Sequence, residues 1–555
     1  MQVLSAAEMQ ACDRATTERF GIPSFELMRN AAGAVAAVVR SEFPQARRIA
    51  VLCGRGNNGG DGMAAARLLH QAGLEVAVIL LGSSDGLKGD AAETWRELAA
   101  VPGVSIHVVE TAADLAGLDP ARDADLVIDA VLGTGFKPPI KGLALDALKW
   151  IKDRRGPVLA VDLPSGWPAD RTSATVDTPV FPADAVVTFT APKPAHVFGA
   201  LTRAWDQPVV VAPIGSPDEL LVSERGLRWT GSSLELVQAP RAASANKGNF
   251  GHVLVVGGTF GSAGGKAGAP AMTSLAAMRV GAGLVTAAVP APAMPVVSAI
   301  APELMTWPLD ANAAGQIGEE NLEPKRLAAL IGGKTVLAVG PGLGQSADTA
   351  KFIAGLLSST ELPSVLDADA LNILAAKPVL LAKLARNGKR MLVLTPHPGE
   401  MARLAGTTTA EIQANRLEAA RTFATKVGVT LVLKGARTII AHPDGRVAVN
   451  TTGNPGMAKG GSGDLLTGMI AGLLAQYPND AASAVEAAVY LHGLAADLAV
   501  SVQNEHTLLA TDALKYLSQA FCFHSRSTNG YVWIQGAQSE RRRARLSNDQ
   551  RRTRR

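Results

Sequence analysis

The sequence predicts an α/β protein built from two doubly wound, three-layer domains, each a mostly parallel sheet with helices on both faces. Short apolar runs such as residues 48–53 and 126–131 recur along the chain, separated by segments with apolar residues at helical spacing. In the second half of the chain, the runs that start at residues 335, 365 and 391 lead into Gly, Asp or His, which is typical of the turn that leaves a buried strand. At 555 residues the chain exceeds what one core holds, so more than one domain is expected.

Composition excludes several classes of protein. The net charge of +4 is misleading, because residues 541–555 hold eight Arg and one Asp, which leaves about −3 for the rest of the chain. We therefore expect no nucleic-acid binding by the folded body. The three cysteines lie far apart and indicate neither a disulfide framework nor a zinc site. No apolar run reaches the ~18 residues of a membrane helix and no signal peptide is evident, so we expect a cytoplasmic protein without membrane contact.

In the first half, three strand ends deliver polar residues to one edge of the predicted sheet. Asn58 and Asp61 follow the first strand, Asp129 ends another, and Asp162 with Ser165 follows a third. Any one of these is more often simple turn chemistry, but three on one edge predict a ligand site. The glycine-rich turn at residues 54–62 lacks the spacing of the dinucleotide fingerprint, which disfavours a redox domain. Oxygen donors at 58, 129 and 165 suit an alkali or alkaline-earth cation better than zinc.

In the second half, a glycine-rich loop at residues 451–463 runs into an apolar helical segment. Uncapped amides at a helix start attract phosphate, and glycines let the backbone approach it. Asp464 lies at that point, where a carboxylate could take a proton from a substrate hydroxyl during phosphoryl transfer. The alternative is that Asp464 only caps the helix.

Changes of pattern predict four regions: a domain at 1–215, an irregular linker at 216–245, a domain at 246–520 and a tail at 521–555. The tail shows no apolar period and ends in arginines, so we expect it to be disordered. A nucleic-acid or acidic-partner arm is the alternative for this segment.

Seven motifs together resemble one family. They are Asn57-Asn-Gly-Gly-Asp61, Asp129-Ala-Val-Leu-Gly-Thr-Gly-Phe136, Val161-Asp-Leu-Pro-Ser-Gly166, Gly340-Pro-Gly-Leu-Gly344, Thr395-Pro-His-Pro-Gly-Glu400, Lys434-Gly-Ala-Arg-Thr438 and Gly461-Ser-Gly-Asp464. Over residues 1–520 the chain resembles the bifunctional NAD(P)H-hydrate repair enzymes, in which an NAD(P)HX epimerase precedes an ADP-dependent (S)-NAD(P)H-hydrate dehydratase. The resemblance implies a Rossmann-like first domain, a ribokinase-like second domain and a role in metabolite repair.

The resemblance also implies site residues. Asp464 and Asp162 would be catalytic, Asp464 as the base and Asp162 in proton transfer during epimerisation. Potassium would be held by Asn58, Asp129 and Ser165, while magnesium and the co-substrate ADP belong to the dehydratase. The hydrate would be bound by Asn57, Asn58, Gly59, Gly60, Asp61, Gly133, Thr134, Gly135, Phe136, Lys137, Pro138, Pro139 and Asp162 in the first domain, and by Ala269, Gly342, His397 and Asp464 in the second. The nucleotide would be bound by Lys434, Gly435, Ala436, Arg437, Thr438 and Gly463.

Three other functions stay open from the residues. The second half could be a small-alcohol kinase, because sugar and vitamin kinases share its loop. The first half could be a non-catalytic module that binds a nucleotide or protein, since it lacks an obvious strong base. A regulator acting through the basic tail is the third. Residue chemistry alone does not choose ADP over ATP, and we expect small-molecule partners and a homo-oligomer.

Overall fold

A computed structural model describes residues 1–118, 123–152, 156–262, 264–386 and 390–536. The chain forms two compact units. The first comprises residues 1–227 together with the C-terminal segment that starts at 524, and the second comprises residues 228–523. The arginine-rich end predicted as part of the tail, residues 537–555, lies outside the described residues.

The first unit alternates strands and helices from its N-terminus. Its strands are β1 (Arg48–Cys53), β2 (Glu75–Leu81), β3 (Ser105–Val109), β4 (Leu126–Ala130), β5 (Val158–Val161), β6 (Ala185–Phe189) and β7 (Val209–Ala212). Its helices are α1 (Ala6–Phe20), α2 (Ser24–Glu42), α3 (Asn57–Gln71), α4 (Gly89–Ala99), α5 (Ala112–Ala116), α6 (Leu143–Lys152) and α7 (Pro194–Phe198).

These seven strands are parallel and lie in the order β3-β2-β1-β4-β5-β6-β7. Both faces of the sheet are covered, because alternate side chains of β1 enter different cores. Val51 packs with residues of α2, α3 and α4, whereas Leu52 packs with residues of α5 and α6. The prediction of a doubly wound, three-layer α/β unit is confirmed. The strand order reverses between β1 and β4, where open α/β sheets bind ligands.

The second unit is larger. Its strands are β8 (Leu227–Trp229), β9 (His252–Val256), β10 (Phe260–Gly261), β11 (Gly264–Gly265), β12 (Leu284–Pro290), β13 (Met305–Leu309), β14 (Val336–Val339), β15 (Ser364–Leu366), β16 (Leu392–Leu394), β17 (Thr430–Leu433), β18 (Ile439–Ala441) and β19 (Val447–Val449). Its helices are α8 (Glu235–Gln238), α9 (Gly268–Arg279), α10 (Met294–Ser298), α11 (Pro324–Ile331), α12 (Ala347–Ser358), α13 (Asp369–Ala375), α14 (Pro378–Arg386), α15 (Pro398–Ala405), α16 (Thr409–Ala414), α17 (Arg416–Val427), α18 (Ser462–Gln476), α19 (Ala481–Val500), α20 (Ala510–Lys515) and α21 (Leu517–Phe521).

Its main sheet has ten strands in the order β13-β12-β9-β14-β15-β16-β17-β18-β19-β8. In this order the strands from β13 to β17 are parallel, whereas β18 and β19 continue the sheet antiparallel. Helix α18 packs against α9, α19 and the sheet. A second α/β unit is therefore confirmed.

Two predicted boundaries are wrong. Residues 521–536 are not a structureless tail: a strand β20 (Val532–Gln535) pairs antiparallel with β7 and becomes the edge of the first unit's sheet. Trp533 is 5 % exposed within that unit's core. The predicted linker 216–245 also differs, because Trp229 already donates to Thr451 Oγ1 at 2.8 Å inside the second unit. Strands of three or four residues give too short a pattern for sequence to separate from a loop.

The expectation about membrane helices needs one correction. Residues 478–500, which include α19, are long and apolar enough by composition to cross a membrane. In the fold, 83 % of the most apolar window of this helix is buried. Such burial is typical of a core helix.

Candidate active sites

The first site lies at the carboxyl ends of β1, β4 and β5. Helix α3 starts directly after β1, and its first turn approaches the sheet closely. A Cβ at Gly59 would lie 1.8 Å from the Gly54 carbonyl oxygen, so no other residue fits there. The approach leaves a cavity of about 1030 Å³. Of the predicted site residues, the cavity is lined by Asn57, Asn58, Asp61, Gly133, Thr134, Gly135, Phe136 and Asp162.

The other predicted residues of this half lie elsewhere. Gly59 and Gly60 are buried in the first turn of α3, and Lys137, Pro138 and Pro139 do not line the cavity. Asp129 and Ser165 do not line the cavity and are fully buried. The strand-edge reasoning therefore brings most of the predicted residues together, but not the end of the 133–139 loop.

Asp129 and Ser165 form one buried polar pair. Ser165 donates to Asp129 through its backbone N–H at 2.8 Å and through its hydroxyl at 2.6 Å, and its Oγ accepts the Leu132 N–H at 2.8 Å. Burial raises the pKa of Asp129 to about 6, although the bonds from Ser165 offset part of this rise. Asn58 lies beside Gly133, which follows Leu132 in the chain, because a Cβ on Gly133 would lie 3.2 Å from Asn58 Oδ1. Among the described residues, Asn58 Nδ2 is buried and finds no hydrogen-bond partner.

Asp162 is the centre of a second buried network. It lies at the end of β5 with φ at +65°, a strained backbone region for a residue with a side chain. Its Oδ1 accepts from Lys193 Nζ at 2.9 Å and from the Thr188 hydroxyl at 2.9 Å, and its Oδ2 accepts the Thr134 N–H at 3.0 Å. Lys193 donates further to Thr188 Oγ1 at 2.8 Å and to the Phe189 carbonyl at 3.3 Å. All three ammonium donors are thus used inside the fold.

Electrostatics fix the charge of this network. Burial alone would raise the pKa of Asp162, but the Lys193 ammonium and the bonds it accepts hold that pKa below its usual range. His196 is fully buried, and burial lowers its pKa to about 4, so the ring is neutral at pH 7. Its Nδ1 accepts the Lys193 N–H at 2.9 Å, so its Nε2 donates to the Asp162 carbonyl at 2.7 Å. The result is a fixed ion pair at the cavity wall.

The second site lies at the first turn of α18. Gly461 precedes the helix in the left-handed region with φ at +94°, and no side chain caps the helix in the part of the chain that the structure describes. The free first-turn amides and the helix dipole make this point attractive to an anion. A Cβ on Gly463 would lie 3.3 Å from Lys434 Nζ and 3.5 Å from Asp367 Oδ2, so both groups border the same turn.

Asp464 lies within this charged cluster. Burial and the Asp367 carboxylate raise the pKa of Asp464 to about 6, and Lys434 lowers it in part. Asp367 binds Lys434 Nζ at 2.7 Å and accepts the Thr467 hydroxyl at 2.9 Å. Burial alone would lower the pKa of Lys434, but the carboxylates of Asp367 and Glu400 raise it above its usual range. Asp464 thus has a pKa suited to proton transfer near neutral pH.

The remaining predicted residues reach this cluster by different routes. Thr273 donates to both the Ala269 and the Asp464 carbonyls at 3.0 Å, which joins α9 to α18. A Cβ on Gly342 would lie 3.3 Å from Ala269 Cβ, so these two residues are neighbours. His397 is half-exposed and caps α15, where its Nδ1 accepts the N–H groups of residues 399 and 400.

The loop predicted to hold nucleotide, residues 434–438, is held by Arg416. This side chain donates to the carbonyls of Leu433 and Lys434 at 3.3 Å and to that of Ala436. Lys434 points away from the rest of the loop into the Asp367 cluster, while Arg437 adopts a φ of +55°. The loop is therefore a fixed platform beside the anion site.

Sequence reasoning missed several residues of both sites. In the first unit these are Asp13, Thr188, Lys193 and His196, and in the second Thr273, Asp367, Glu400, Arg416 and Thr467. Lys193 and Asp367 follow strand ends, so the strand-edge rule could have found them. Within the described ranges, no cluster of three or more His, Cys, Asp or Glu side chains has the geometry of a metal site.

Comparisons with known proteins match this chain along nearly its whole length. A family described as NAD(P)H-hydrate dehydratase matches residues 253–519, and one described as YjeF-related protein N-terminus matches residues 24–195. The bifunctional NAD(P)H-hydrate repair enzyme of Moorella thermoacetica is 41 % identical over 532 residues, covering 93 % of this chain and 96 % of the relative. The enzyme of that description from Escherichia coli is 35 % identical, covering 93 % of both.

Among solved structures, the ADP/ATP-dependent NAD(P)H-hydrate dehydratase of Bacillus subtilis, co-crystallised with ATP and Mg²⁺, is 33 % identical. The match covers 52 % of this chain and 96 % of the Bacillus subtilis chain, with a TM-score of 0.44. A ribokinase-like superfamily protein of Enterococcus faecalis is 30 % identical, covering 54 % of this chain and 97 % of its own, with a TM-score of 0.44.

Proposed function

The chain belongs to the family of bifunctional NAD(P)H-hydrate repair enzymes, and we propose on that premise that each unit carries one of two activities. The N-terminal unit interconverts (R)- and (S)-NAD(P)HX. The C-terminal unit dehydrates the S form to NAD(P)H, driven by ADP, with release of AMP and phosphate. One epimer-specific dehydratase then clears both epimers.

A single observation carries the dehydratase assignment. Asp464, whose burial raises its pKa to about 6, lies on an uncapped helix start beside the Lys434 ammonium. A base and an anion cradle within one turn are what phosphoryl transfer to a hydroxyl needs. A pure capping role for Asp464 has no support, because the helix start carries no side-chain cap within the described chain.

The chemistry follows from these positions. Asp464 takes the proton of the ring hydroxyl as the hydroxyl oxygen bonds to the terminal phosphorus of ADP, and the bond from that phosphorus to AMP breaks. The first-turn amides of α18 and Lys434 stabilise the charge on the moving phosphoryl group. The ring nitrogen then expels phosphate, and loss of a ring proton restores the double bond. A magnesium ion would take oxygen donors from Asp367 and Glu400 and neutralise nucleotide phosphate charge.

In the N-terminal unit the residues present also fit potassium. Asn58, Asp129 and Ser165 would hold it, and turning the Asn58 amide would place its carbonyl oxygen where Nδ2 now lacks a partner. The ion would balance the buried Asp129 carboxylate. A differential melting measurement in K⁺ and in Na⁺ tests this: we expect a higher midpoint in K⁺, and an equal rise in an Asp129→Asn variant would contradict it.

For Asp162 we propose a role different from the proton transfer that the resemblance implies. Its carboxylate is paired with Lys193 and held ionised, which favours a fixed negative charge over a proton carrier. In NAD(P)HX the hydroxyl stands on the carbon next to the ring nitrogen, so its departure leaves a cationic ring. The Asp162 carboxylate at the cavity wall would stabilise that cation.

One experiment tests both assignments. Purified protein is incubated with (R,S)-NADHX plus ADP, ATP or no nucleotide; absorbance reports recovered NADH and chromatography reports the R-to-S ratio. We expect Asp464→Asn to lower dehydration by at least about 100-fold while interconversion continues. The matched control is Asp480→Asn, an exposed carboxyl just beyond the same helix, which should leave both rates unchanged. Loss of both activities in Asp464→Asn would contradict two separate sites.

A cytoplasmic location and a homo-oligomer belong to the same proposal. The apolar surface of α19 is mostly buried, which supports a protein without a membrane span in this helix. Light scattering of the purified chain measures the number of copies, and a monomer at assay concentration would contradict the homo-oligomer.

A further inference from the structure

Asp13 brings an unexplained carboxyl group into the first site. Helix α1 presents Met9 and Asp13, one turn apart, to the same cavity that Asp61, Asp162 and Lys193 line. Among the described residues, Asp13 Oδ1 is buried and finds no hydrogen-bond partner. Leaving a buried carboxylate oxygen without a donor is unfavourable, so a structural role does not account for this placement.

Two charged groups of the same wall, Lys193 and Asp162, are already engaged with each other. The Lys193 ammonium donates hydrogen bonds to Asp162, Thr188 and Phe189. The Asp162 carboxylate accepts three hydrogen bonds, which stabilise its ionised form. His196 behind them has both ring nitrogens in use. A proton for the substrate must therefore come from another group at the cavity.

The surroundings make Asp13 easier to protonate than an exposed carboxyl group. Burial raises the pKa of Asp13 to about 6; Lys193 lowers it in part and the Asp162 carboxylate raises it. The other titratable groups that face it are Asp61 on α3 and Cys12 on its own helix. Burial raises the pKa of Asp61 well above its usual range, and the Asp162 and Asp13 carboxylates raise it further. A carboxylic acid facing a carboxylate held ionised is the usual arrangement for acid catalysis beside a cation.

We propose that Asp13 is the general acid of the epimerase reaction, giving its proton to the ring hydroxyl of NAD(P)HX and taking it back when water returns. This role rests on the proposed epimerase function. The ring-nitrogen lone pair forms a C=N bond as the neighbouring C–O bond breaks; its electron pair leaves with oxygen, which takes the Asp13 proton and departs as water. Water then adds to the other face of the flat ring, the C=N pair returns to nitrogen, and the surplus proton reaches the Asp13 carboxylate through water in the cavity.

The test compares Asp13→Asn, Asp13→Glu and Asp61→Asn with the full wild-type chain in potassium buffer, following interconversion of purified (S)-NADHX by chromatography. Because the protonated acid is active, we expect the wild-type rate to fall as pH rises above about 6. Asp13→Asn should lower kcat by about 100-fold or more and abolish this pH dependence. Asp13→Glu should restore part of the rate. Asp61→Asn should keep the pH dependence of the wild type. Glu18→Gln, an exposed carboxyl on the same helix, is the matched control.

A stability measurement separates catalysis from folding. Removing an unpartnered buried carboxylate should leave the melting temperature of Asp13→Asn unchanged or raised, whereas loss of a structural contact would lower it. Asp13→Asn with wild-type kcat and pH profile would overturn the role of Asp13 alone. A wild-type chain that does not interconvert the epimers at all would overturn the epimerase proposal itself.

Discussion

The buried pair between Lys193 and Asp162 gives a sharp stability prediction through the variant Lys193→Met. Methionine keeps most of the aliphatic stem but leaves the Asp162 carboxylate, whose side chain is 9 % exposed, without its cation. Breaking one partner of such a pair destabilises by about 3–5 kcal/mol. For a unit of this size about 1 kcal/mol shifts the melting temperature by roughly 2–4 °C, so we expect a drop of about 6–20 °C in the first unit.

The stability that Lys193→Met loses should depend on pH. In the wild type the pKa of Asp162 is below its usual range, so its contribution to stability is present above about pH 4 and lost as pH falls through the folded pKa. Without Lys193, burial is left to raise that pKa. The difference between wild type and variant should therefore be largest at neutral pH and shrink toward pH 5, where the buried carboxyl becomes protonated.

Scanning calorimetry of the full chain provides the assay. Saturating ADP should shift the transition of the second unit alone, which identifies the transition of the first. The double variant Lys193→Met/Asp162→Asn, which buries no lone charge, should recover at least half of the lost stability. A drop in melting temperature below about 2 °C, or an equal loss of stability at pH 5 and pH 7.5, would contradict a stabilising ion pair between Lys193 and Asp162.

Three further predictions concern other parts of the fold. Truncation after residue 523 should lower the melting temperature of the first unit only, because that unit loses β20 and the buried Trp533. An unchanged melting temperature in calorimetry would contradict this. Gly468→Ala should destabilise the second unit by about 1–3 kcal/mol in denaturant titration, because the new Cβ would lie 2.0 Å from the Thr273 carbonyl oxygen. The control is Gly33→Ala, whose Cβ would enter open space and should not destabilise the first unit. Arg416→Met should raise the KM for ADP about tenfold with a smaller change in kcat, because the 433–436 backbone loses its donor; equal effects on both constants would argue against a role in binding.

Sequence reasoning brought several predicted residues to one cavity because strand ends in parallel sheets converge. Asn58, Asp61 and Asp162 each follow a strand, so chain order alone placed them on one edge. Asp13 could not be found this way, since nothing in a helix sequence says which residue faces a cavity that distant segments of the chain form. The raised pKa of Asp13 depends on burial and on neighbouring charges, which arise only once the chain is folded.

The same limit explains the misplaced boundaries. Residues 531–534 form a short apolar run, but next to an arginine-rich segment the pattern favours disorder. Pairing with β7 overrides local composition, because the strand gains a hydrogen-bonded neighbour and Trp533 enters a core.

The antiparallel edge strand β20 also bears on how the protein is made. Synthesis on the ribosome delivers residues 48–212 early, yet the partner of β7 emerges only after some 300 further residues have been translated. Until then β7 is an open edge to which a neighbouring nascent chain could add. Completion of the N-terminal unit is thus deferred until β20 has been synthesised, and a product truncated before it would carry an unfinished first unit even with its first 227 residues intact.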